Sequence, residues 1–426
     1  MPEVLKINNF ITIKRAELEI KSINIIIGPQ ANGKSLIAKL DYYFKNLSKE
    51  FFESIRLFST KRELDAKFLE KFESYFPRYT WDGTDFEIEY EMDGLAFLVT
   101  GKSNAKKKTK LSISYSRELY NIFNNKRKLY KNKLEARDDV DEKKFEMELD
   151  ERVIFAETVQ FPLLEGSKSD FFNDSVFIPA SRSFFANLQK NIFTFLASNL
   201  DIDPFIKEFG SVYETSKRVY NSGFFRRNKA RKEIYEQVKK AIQSVVGGAY
   251  EYSEEQDWII SKNRRVNLAN ASSGQQEALP MLLTLCVWPF RGLSKKGTLF
   301  IEEPEAHLFP TSQSYIVSVL SVLRGVPGSK FFITTHSPYI LSALNNLVLA
   351  YDVIESGKMS KEKFSKINGL GEPIRYEDVS AYTIINGEVK SIKDDELRMV
   401  GGDMLDEVSE SFEYVANELL SAEGSE

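Results

Sequence analysis

Cysteine and histidine are almost missing from this 426-residue chain, which holds one cysteine, Cys286, and two histidines, His307 and His336. One thiol cannot build a disulfide framework or a cysteine-based zinc site, and two imidazoles leave little for histidine–metal chemistry. Long apolar runs are missing too: the longest, Leu279–Phe290, falls well short of the roughly 20 residues a membrane-spanning helix needs. The opening Met-Pro-Glu-Val-Leu-Lys lacks the charged-then-apolar plan of a secretory signal, so a cytoplasmic protein with no membrane partner is expected. Neither sign of charge dominates. With 58 basic and 62 acidic residues the net charge is −4, which excludes a global basic field for nucleic acid. Glycine and proline are sparse, at 22 and 13, which argues against two loosely tethered domains. Core material is abundant: 42% of residues are hydrophobic and 13% aromatic, which excludes wholesale disorder. At roughly 150 residues per domain the length suggests two or three structural units.

The strongest local signal lies in the first 35 residues. Leu5–Phe10 and Arg15–Ile20 read as short strands, and Ile23–Ile27 as a buried one. That third strand runs into Gly28-Pro29-Gln30-Ala31-Asn32-Gly33-Lys34-Ser35, a complete phosphate-binding loop, followed by a helix from Ser35. Its glycines, Gly28 and Gly33, let backbone N–H groups close on phosphates, and the helix start adds partial positive charge. Lys34 is placed to reach the β- and γ-phosphates, and Ser35 to bind Mg²⁺ through its hydroxyl. The pattern therefore points to ATP or a related nucleotide with Mg²⁺ as cofactor, and Asn32 belongs to the same cradle.

Three further segments fit that chemistry. Thr298-Leu299-Phe300-Ile301-Glu302-Glu303 is an apolar strand ending in two carboxylates; Glu302 suits a Mg²⁺ ligand and Glu303 a group that polarises the attacking water. Ser272-Ser273-Gly274-Gln275-Gln276 opens a nearly all-apolar helix, Glu277–Trp288. A small hydroxyl and a glycine at a helix start suit an anion, although Ser-Ser-Gly is also an ordinary helix cap. Phe331–Ser337 is another buried strand, and it delivers His336 to its end. If that strand lies parallel to the acidic one, His336 points into the same crevice. His307, in Glu305-Ala306-His307-Leu308, could equally cap or pack against the next helix.

Elsewhere, residues 47–76 read as helical, and Phe86–Met92, Leu95–Thr100 and Leu111–Tyr115 as an antiparallel meander. From Arg117 to about Asp150 the chain is charged and helix-forming, too irregular for a long coiled coil, so a short projecting helical hairpin is expected. Val176–Pro179 resumes the core pattern, helices are expected from about Phe184 to Gln243, and a hairpin over Ala249–Val266. The tail from Leu347 reads as one or two strands, with Glu355-Ser356-Gly357 as a turn, then a helix near Met404–Leu420. Basic runs at Lys106–Lys110, Asn125–Lys128, Arg226–Lys232 and Lys262–Arg265 read first as solvated faces. Arg226–Lys232, beside Gly223, Phe224 and Phe225, is the best candidate for a DNA contact.

In this order the segments resemble the ABC-type ATPases of the SMC/RecF/OLD (overcoming lysogenization defect) kind. Lys6–Phe10 is similar to that group's opening strand, Gly28–Ser35 to its Walker A loop, and Ser272–Gln276 to its ABC signature. Glu302-Glu303-Pro304-Glu305 resembles its Walker B strand, catalytic glutamate and D-loop, and Thr335-His336-Ser337 its switch histidine. Glu302 departs from the Asp of many relatives. No Q-loop glutamine is obvious: Ile178-Pro179-Ala180-Ser181-Arg182 occupies a plausible place and resembles an Arg-bearing motif of these ATPases, with Gln160 as the alternative.

The resemblance implies an α/β fold: an ABC-type P-loop ATPase head with a mixed sheet, flanking helices and an antiparallel β-subdomain. A mainly helical region is inserted into it. It divides the chain into a head over residues 1–45 and 246–426, a helix plus β-meander over 46–116, and a helical insertion over 117–245. Implied site residues are Glu303 and His336 for catalysis, and Gly28, Asn32, Gly33, Lys34, Ser35, Ser273, Gly274 and Gln275 for ATP. Ser35 and Glu302 would hold Mg²⁺. The residues after Leu344 contain no Asp-x-Asp of a TOPRIM nuclease, and two histidines cannot build an HNH site. The chain thus resembles a stand-alone ATPase subunit, dimerising head to tail or forming a larger homo-oligomer, like those paired with a separate nuclease in Septu and PARIS anti-phage systems. A RecF-like repair ATPase and an ATP-locked scaffold with little turnover are the alternatives.

Overall fold

The computed structural model describes residues 2–136, 144–187, 202–222, 229–262, 264–290 and 297–401. The N-terminal strands are β1 (Glu3–Phe10), β2 (Ile13–Ile20) and β3 (Ile23–Ile27), then the meander β4 (Phe86–Met92), β5 (Leu95–Ser103) and β6 (Thr109–Tyr115). They are followed by β7 (Asp174–Ile178), the small antiparallel sheet of β8 (Ala249–Ser253), β9 (Gln256–Ser261) and β10 (Arg264–Asn267), and then β11 (Gly297–Glu302), β12 (Ser329–Thr335), β13 (Val379–Ile385) and β14 (Glu388–Ser391). Helices are α1 (Lys34–Arg56), α2 (Lys61–Tyr75), α3 (Arg117–Glu135), α4 (Lys144–Phe155), α5 (Phe161–Leu164), α6 (Pro204–Asn221), α7 (Lys229–Val246), α8 (Ser273–Val287), α9 (Pro310–Arg324), α10 (Pro338–Glu355) and α11 (Lys361–Asn368).

One mixed sheet of 11 strands, in the order β6-β5-β4-β1-β2-β14-β13-β3-β12-β11-β7, carries both the phosphate-loop strand and the meander. The half around β3 is parallel: β13, β3, β12, β11 and β7 run together, with Ile27 beside Thr335 and Thr383, and Glu302 beside Thr334. Such strands are buried on both faces, which explains why Ile23–Ile27 shows no polar alternation. The other half is antiparallel and alternates, as Ile13–Ile20 does. Because strand side chains point to opposite faces in turn, Leu299 and Ile301 join one core while Phe300 joins the other. The first core is aliphatic, packing α8, α9 and α10 on the sheet. The second is aromatic, built where α1 and α2 bring Phe44 and Phe72 onto Phe10, Phe86 and Phe97.

The expected helix over 47–76 is two helices. Ser59 and Thr60 interrupt it, and Thr60 caps α2 in a reciprocal box with Glu63. The tail from Leu347 is a correction: residues 347–355 continue α10, because Ile340, Leu341, Leu344, Leu347 and Val348 repeat at helical spacing against the core. The strands come later, at β13 and β14, and Glu355–Gly357 is the turn that ends α10. The region 249–266 forms three strands rather than a hairpin. Helix α3 lies along the body, with Phe123 on Phe51 and Tyr130 stacked on Phe58. Gly223–Phe225, the first three residues of the run Arg226–Lys232 and the helix expected at Met404–Leu420 lie outside the described residues. No helix among the described residues is long and apolar enough to cross a membrane.

Candidate functional site

The parallel register brings four strand ends to one edge of the sheet. Gly28 leaves β3, His336 leaves β12, Glu303 leaves β11 and Pro179 leaves β7. Segments distant in sequence therefore converge where open α/β sheets bind ligands. The loop Gly28–Gly33 joins β3 to α1, and Lys34 is the first residue of the helix. Gly33 has φ +91°, and a Cβ there would meet Ile13 and Thr12 of the β1–β2 turn at 2.7 Å, so only glycine fits.

The buried Lys34 Nζ donates to the carbonyls of Gly28 at 2.8 Å and Pro29 at 2.6 Å, and lies 3.3 Å from His336 Nδ1. Burial holds the Lys34 ammonium below the usual lysine range, with Glu303 and Glu305 working against the shift. An ammonium can only donate, so Nδ1 must accept and the ring proton sits on Nε2. Nε2 lies 3.3 Å from Glu303 Oε1. Lysine, histidine and glutamate thus form one polar chain across the ends of β3, β12 and β11.

Glu303 takes a left-handed backbone, φ +42°, unusual for a residue with a side chain. Its N–H donates to Thr334 O at 2.8 Å, which turns the chain sharply out of β11. Glu302 is buried: its Oε2 accepts from Ala180 N–H at 3.2 Å, while Oε1 has no hydrogen-bond partner. Glu305, expected only as the start of the D-loop, accepts the His336 N–H at 2.7 Å through Oε1 and leaves Oε2 unpartnered. Thr334 Oγ1 is a third orphaned buried oxygen at this edge. Buried polar atoms normally find partners, so a cluster of orphaned oxygens marks a place built for something else. All are hard oxygen donors, as is the half-buried Ser35 hydroxyl, and that set fits Mg²⁺, which takes few protein ligands beside phosphate and water. Among the described residues no group of three or more His, Cys, Asp or Glu could hold a metal by itself.

The Ser272–Gln276 segment starts α8, but its side chains divide their work. Ser272 and Gln275 cap the helix reciprocally, and Gln275 Nε2 also donates to Val246 O at 2.7 Å. Ser273 is exposed. Gly274 is buried against the loop that follows Glu303, where a Cβ would stand 2.6 Å from His307 O. His307 itself is exposed, with φ +58°. Asn32 donates to Ile384 O at 3.4 Å, linking the phosphate loop to β13. Beyond it opens a cavity of about 990 Å³, lined by Thr12, Asn32, Thr383, Asn386 and Asp394 among others. Of the two places expected for a Q-loop, Ile178–Arg182 borders this edge, whereas Gln160 lines a separate groove with Phe52 and Tyr130. Two basic runs have structural contacts: Lys126 donates to Thr158 O, and Arg265 lies over Trp258. Lys106–Lys108 is an exposed turn.

A phosphate loop packed between parallel strands, with a carboxylate pair two strands away, defines a P-loop α/β nucleotide-binding protein. The chain belongs to the AAA ATPase domain family, whose pattern matches residues 1–341. Among solved structures it is similar to an SMC head bound to the C-winged helix domain of ScpA, with 10% identity, 92% of this chain and 98% of that chain covered, and a TM-score of 0.44. It is also similar to the SMC head domain from Thermotoga maritima, with 12% identity, 93% and 100% coverage and a TM-score of 0.37. A third is the Pyrococcus furiosus Smc head with an extended coiled coil bound to the C-terminal domain of ScpA, with 10% identity, 98% and 100% coverage and a TM-score of 0.39. No curated protein sequence matches the chain significantly.

Proposed function

We propose that this chain is a cytoplasmic ATPase, hydrolysing ATP to ADP and phosphate with Mg²⁺, and that its site is completed by a second copy. The observation that carries this reading is the chain Lys34–His336–Glu303 lying beside the orphaned oxygens of Glu302 and Glu305. Lys34 leaves its loop carbonyls for the β- and γ-phosphates, and the nucleoside extends toward the cavity beside Asn32. Ser35 and Glu302 would hold Mg²⁺, which when bound would supply positive charge to offset that of the phosphates. Glu303 orients a water against the γ-phosphorus and takes its proton as the new P–O bond forms. The bond to the leaving ADP oxygen breaks on the far side. The Nε2–H of His336 holds Glu303 in place through that step.

Glu303→Gln keeps the shape and loses the base, so ATP binding should stay within about threefold while turnover collapses by about a hundredfold or more. Wild-type turnover in that variant would move the role to another carboxylate.

The exposed Ser273 supports a head-to-tail pair, each chain covering the other's γ-phosphate. Ser273→Arg and Lys34→Ala should each be inactive, and mixing them should restore part of the activity by creating one intact composite site. Absence of rescue despite proven subunit exchange would remove the shared site.

On the resemblance of the four motifs, we extend the proposal to a bacterial anti-phage assembly in which this ATPase holds or licenses a separate nuclease. Plaque counts on cells carrying the chain with and without the product of a neighbouring nuclease gene test that extension. Protection by the chain alone would overturn it.

A further inference from the structure

We propose that Arg182 is a positioning residue that ties the start of α8 to the carboxylates after β11, so that the setting of Ser273 and Gly274 governs the setting of Glu303. The proposal rests on the ATPase reading for its kinetic consequence, but not for its geometry.

Arg182 is fully buried, a costly place for a guanidinium unless each face is met. On one side it grips α8. Its N–H donates to Glu277 Oε2 at 2.8 Å, its Nε donates to Glu277 O at 2.8 Å, and Nε stands 3.5 Å from the same carboxylate. Ser183 N–H completes that carboxylate at 3.1 Å. On the other side it grips the acidic corner. Nη1 donates to Glu302 O at 2.7 Å and to Pro179 O at 3.0 Å, and Nη2 donates to Glu303 O at 3.0 Å.

The acceptors explain why the residue is arginine. Three nitrogens fixed in one plane donate to four carbonyls on three chain segments, which the single point charge of a lysine cannot reproduce. Their identity also argues against a purely packing role, since two of them belong to the residues whose side chains line the site. Glu303 is held at both ends of its strained backbone, its N–H on Thr334 O and its C=O under Arg182. A conformation of that kind persists only where its surroundings over-determine it.

The same helix start touches the loop a second time. Gly274 sits against His307 O so closely that a Cβ would stand 2.6 Å away. Glu277 lies about one turn further along α8, on the same face as Gly274. The stretch Glu302–His307 is thus bracketed by two contacts from one helix end, Arg182 at its beginning and Gly274 at its close. A load placed on exposed Ser273 reaches Glu303 without passing through the phosphate loop. In a head-to-tail pair that load is the partner's nucleotide, so occupancy of one site sets the carboxylate of the other.

The test uses the full-length protein with Arg182→Lys and Glu277→Gln. Arg182→Lys keeps the charge and loses the fork. Hydrogen exchange should quicken at 302–307 and 274–278 while 28–40 keeps wild-type protection. Turnover should fall about tenfold or more with KM for ATP within about threefold, and any sigmoidal ATP dependence of the wild type should flatten. Glu277→Gln keeps the carbonyl contacts and loses one charge, so it should show the same pattern more weakly. Should Arg182→Lys fail to fold, Glu277→Gln decides alone.

Unchanged exchange at 302–307 together with wild-type turnover overturns the proposal. A uniform loss of protection across the chain overturns it too, because that is the signature of general destabilisation. A wild-type protein that does not hydrolyse ATP removes the ATPase reading instead, and the exchange pattern then tests the coupling on its own.

Discussion

Two groups of charged side chains sit on the same two elements and behave in opposite ways. Helix α1 carries Lys34 at its start and Asp41 and Lys45 further along; β12 carries Lys330 near its start and delivers His336 at its end. At the far end of the sheet Glu3 is sealed between Lys45, with which it forms an ion pair, and Lys330 at 2.8 Å, and it accepts from the Tyr90 hydroxyl at 3.1 Å. Burial raises the Glu3 carboxyl, but the two lysines overcome it and hold it below the usual carboxylate range. At the loop end the carboxylates are left open: Glu303 is 38% exposed, and Glu302 and Glu305 each keep an unpartnered oxygen. Charges paired with their own chain cement the fold, while charges left underpaired are available to something else.

The largest expected effect comes from unpairing the sealed cluster. Glu3→Ala leaves the buried Lys45 and the partly buried Lys330 without this counter-ion, and stability to urea should drop by about 3–5 kcal/mol. A loss under about 1 kcal/mol would mean that the cluster is cement in appearance only.

Lys34→Ala should do the reverse. It removes the side-chain cation of the loop, so ATP affinity should fall at least about tenfold, or about 1.4 kcal/mol of binding, with little change in urea stability. Equal ATP affinity in a titration of the variant would erase the distinction between the two clusters.

Asp41 sharpens the comparison, because both its oxygens are buried without partners beside Lys45. Burial pushes its carboxyl up to about 7, against the pull of Lys45. Between the unfolded value near 4 and that folded value, the unfolded chain has lost the proton while the folded chain keeps it. Stability therefore falls through this group as pH rises from about 4 to about 7, then levels. Asp41→Asn has no proton to lose, so its advantage over the wild type should grow across that window in urea titrations. A constant difference from pH 4 to pH 8 would show that Asp41 is not held protonated.

The smallest effect belongs to Glu302. Glu302→Gln retains an acceptor for Ala180 N–H and removes a charge whose Oε1 is unpartnered, so stability should rise by less than about 1 kcal/mol. Mg²⁺-dependent nucleotide binding should weaken in the same variant. Lower stability would make Glu302 part of the cement.

How far the molecule could be read in advance follows the distance over which each contact acts. The strand–loop–helix from Ile23 through α1, the acidic end of β11 and the parallel strand ending at His336 are written in contiguous residues. Their physics is local: backbone N–H groups, glycine φ angles and apolar periodicity. The split between α1 and α2 was missed, although the Thr60-x-x-Glu63 cap marks it in contiguous residues. Residues 347–355 were harder, since a short apolar run fits strand and helix alike until a packing partner selects one period.

The sequence alone therefore determined that the chain has a phosphate loop, a carboxylate pair and a strand-borne histidine, because each is a property of a few neighbouring residues. Only the tertiary structure decided which groups meet. Arg182 grips Glu277 and Glu303 across 95 and 121 positions, Glu305 supports His336 across 31, and Lys330 closes on Glu3 across 327. Contacts of that kind leave no periodic trace along the chain. They come from strand order and register, which are set by the packing of two cores on opposite faces of one sheet.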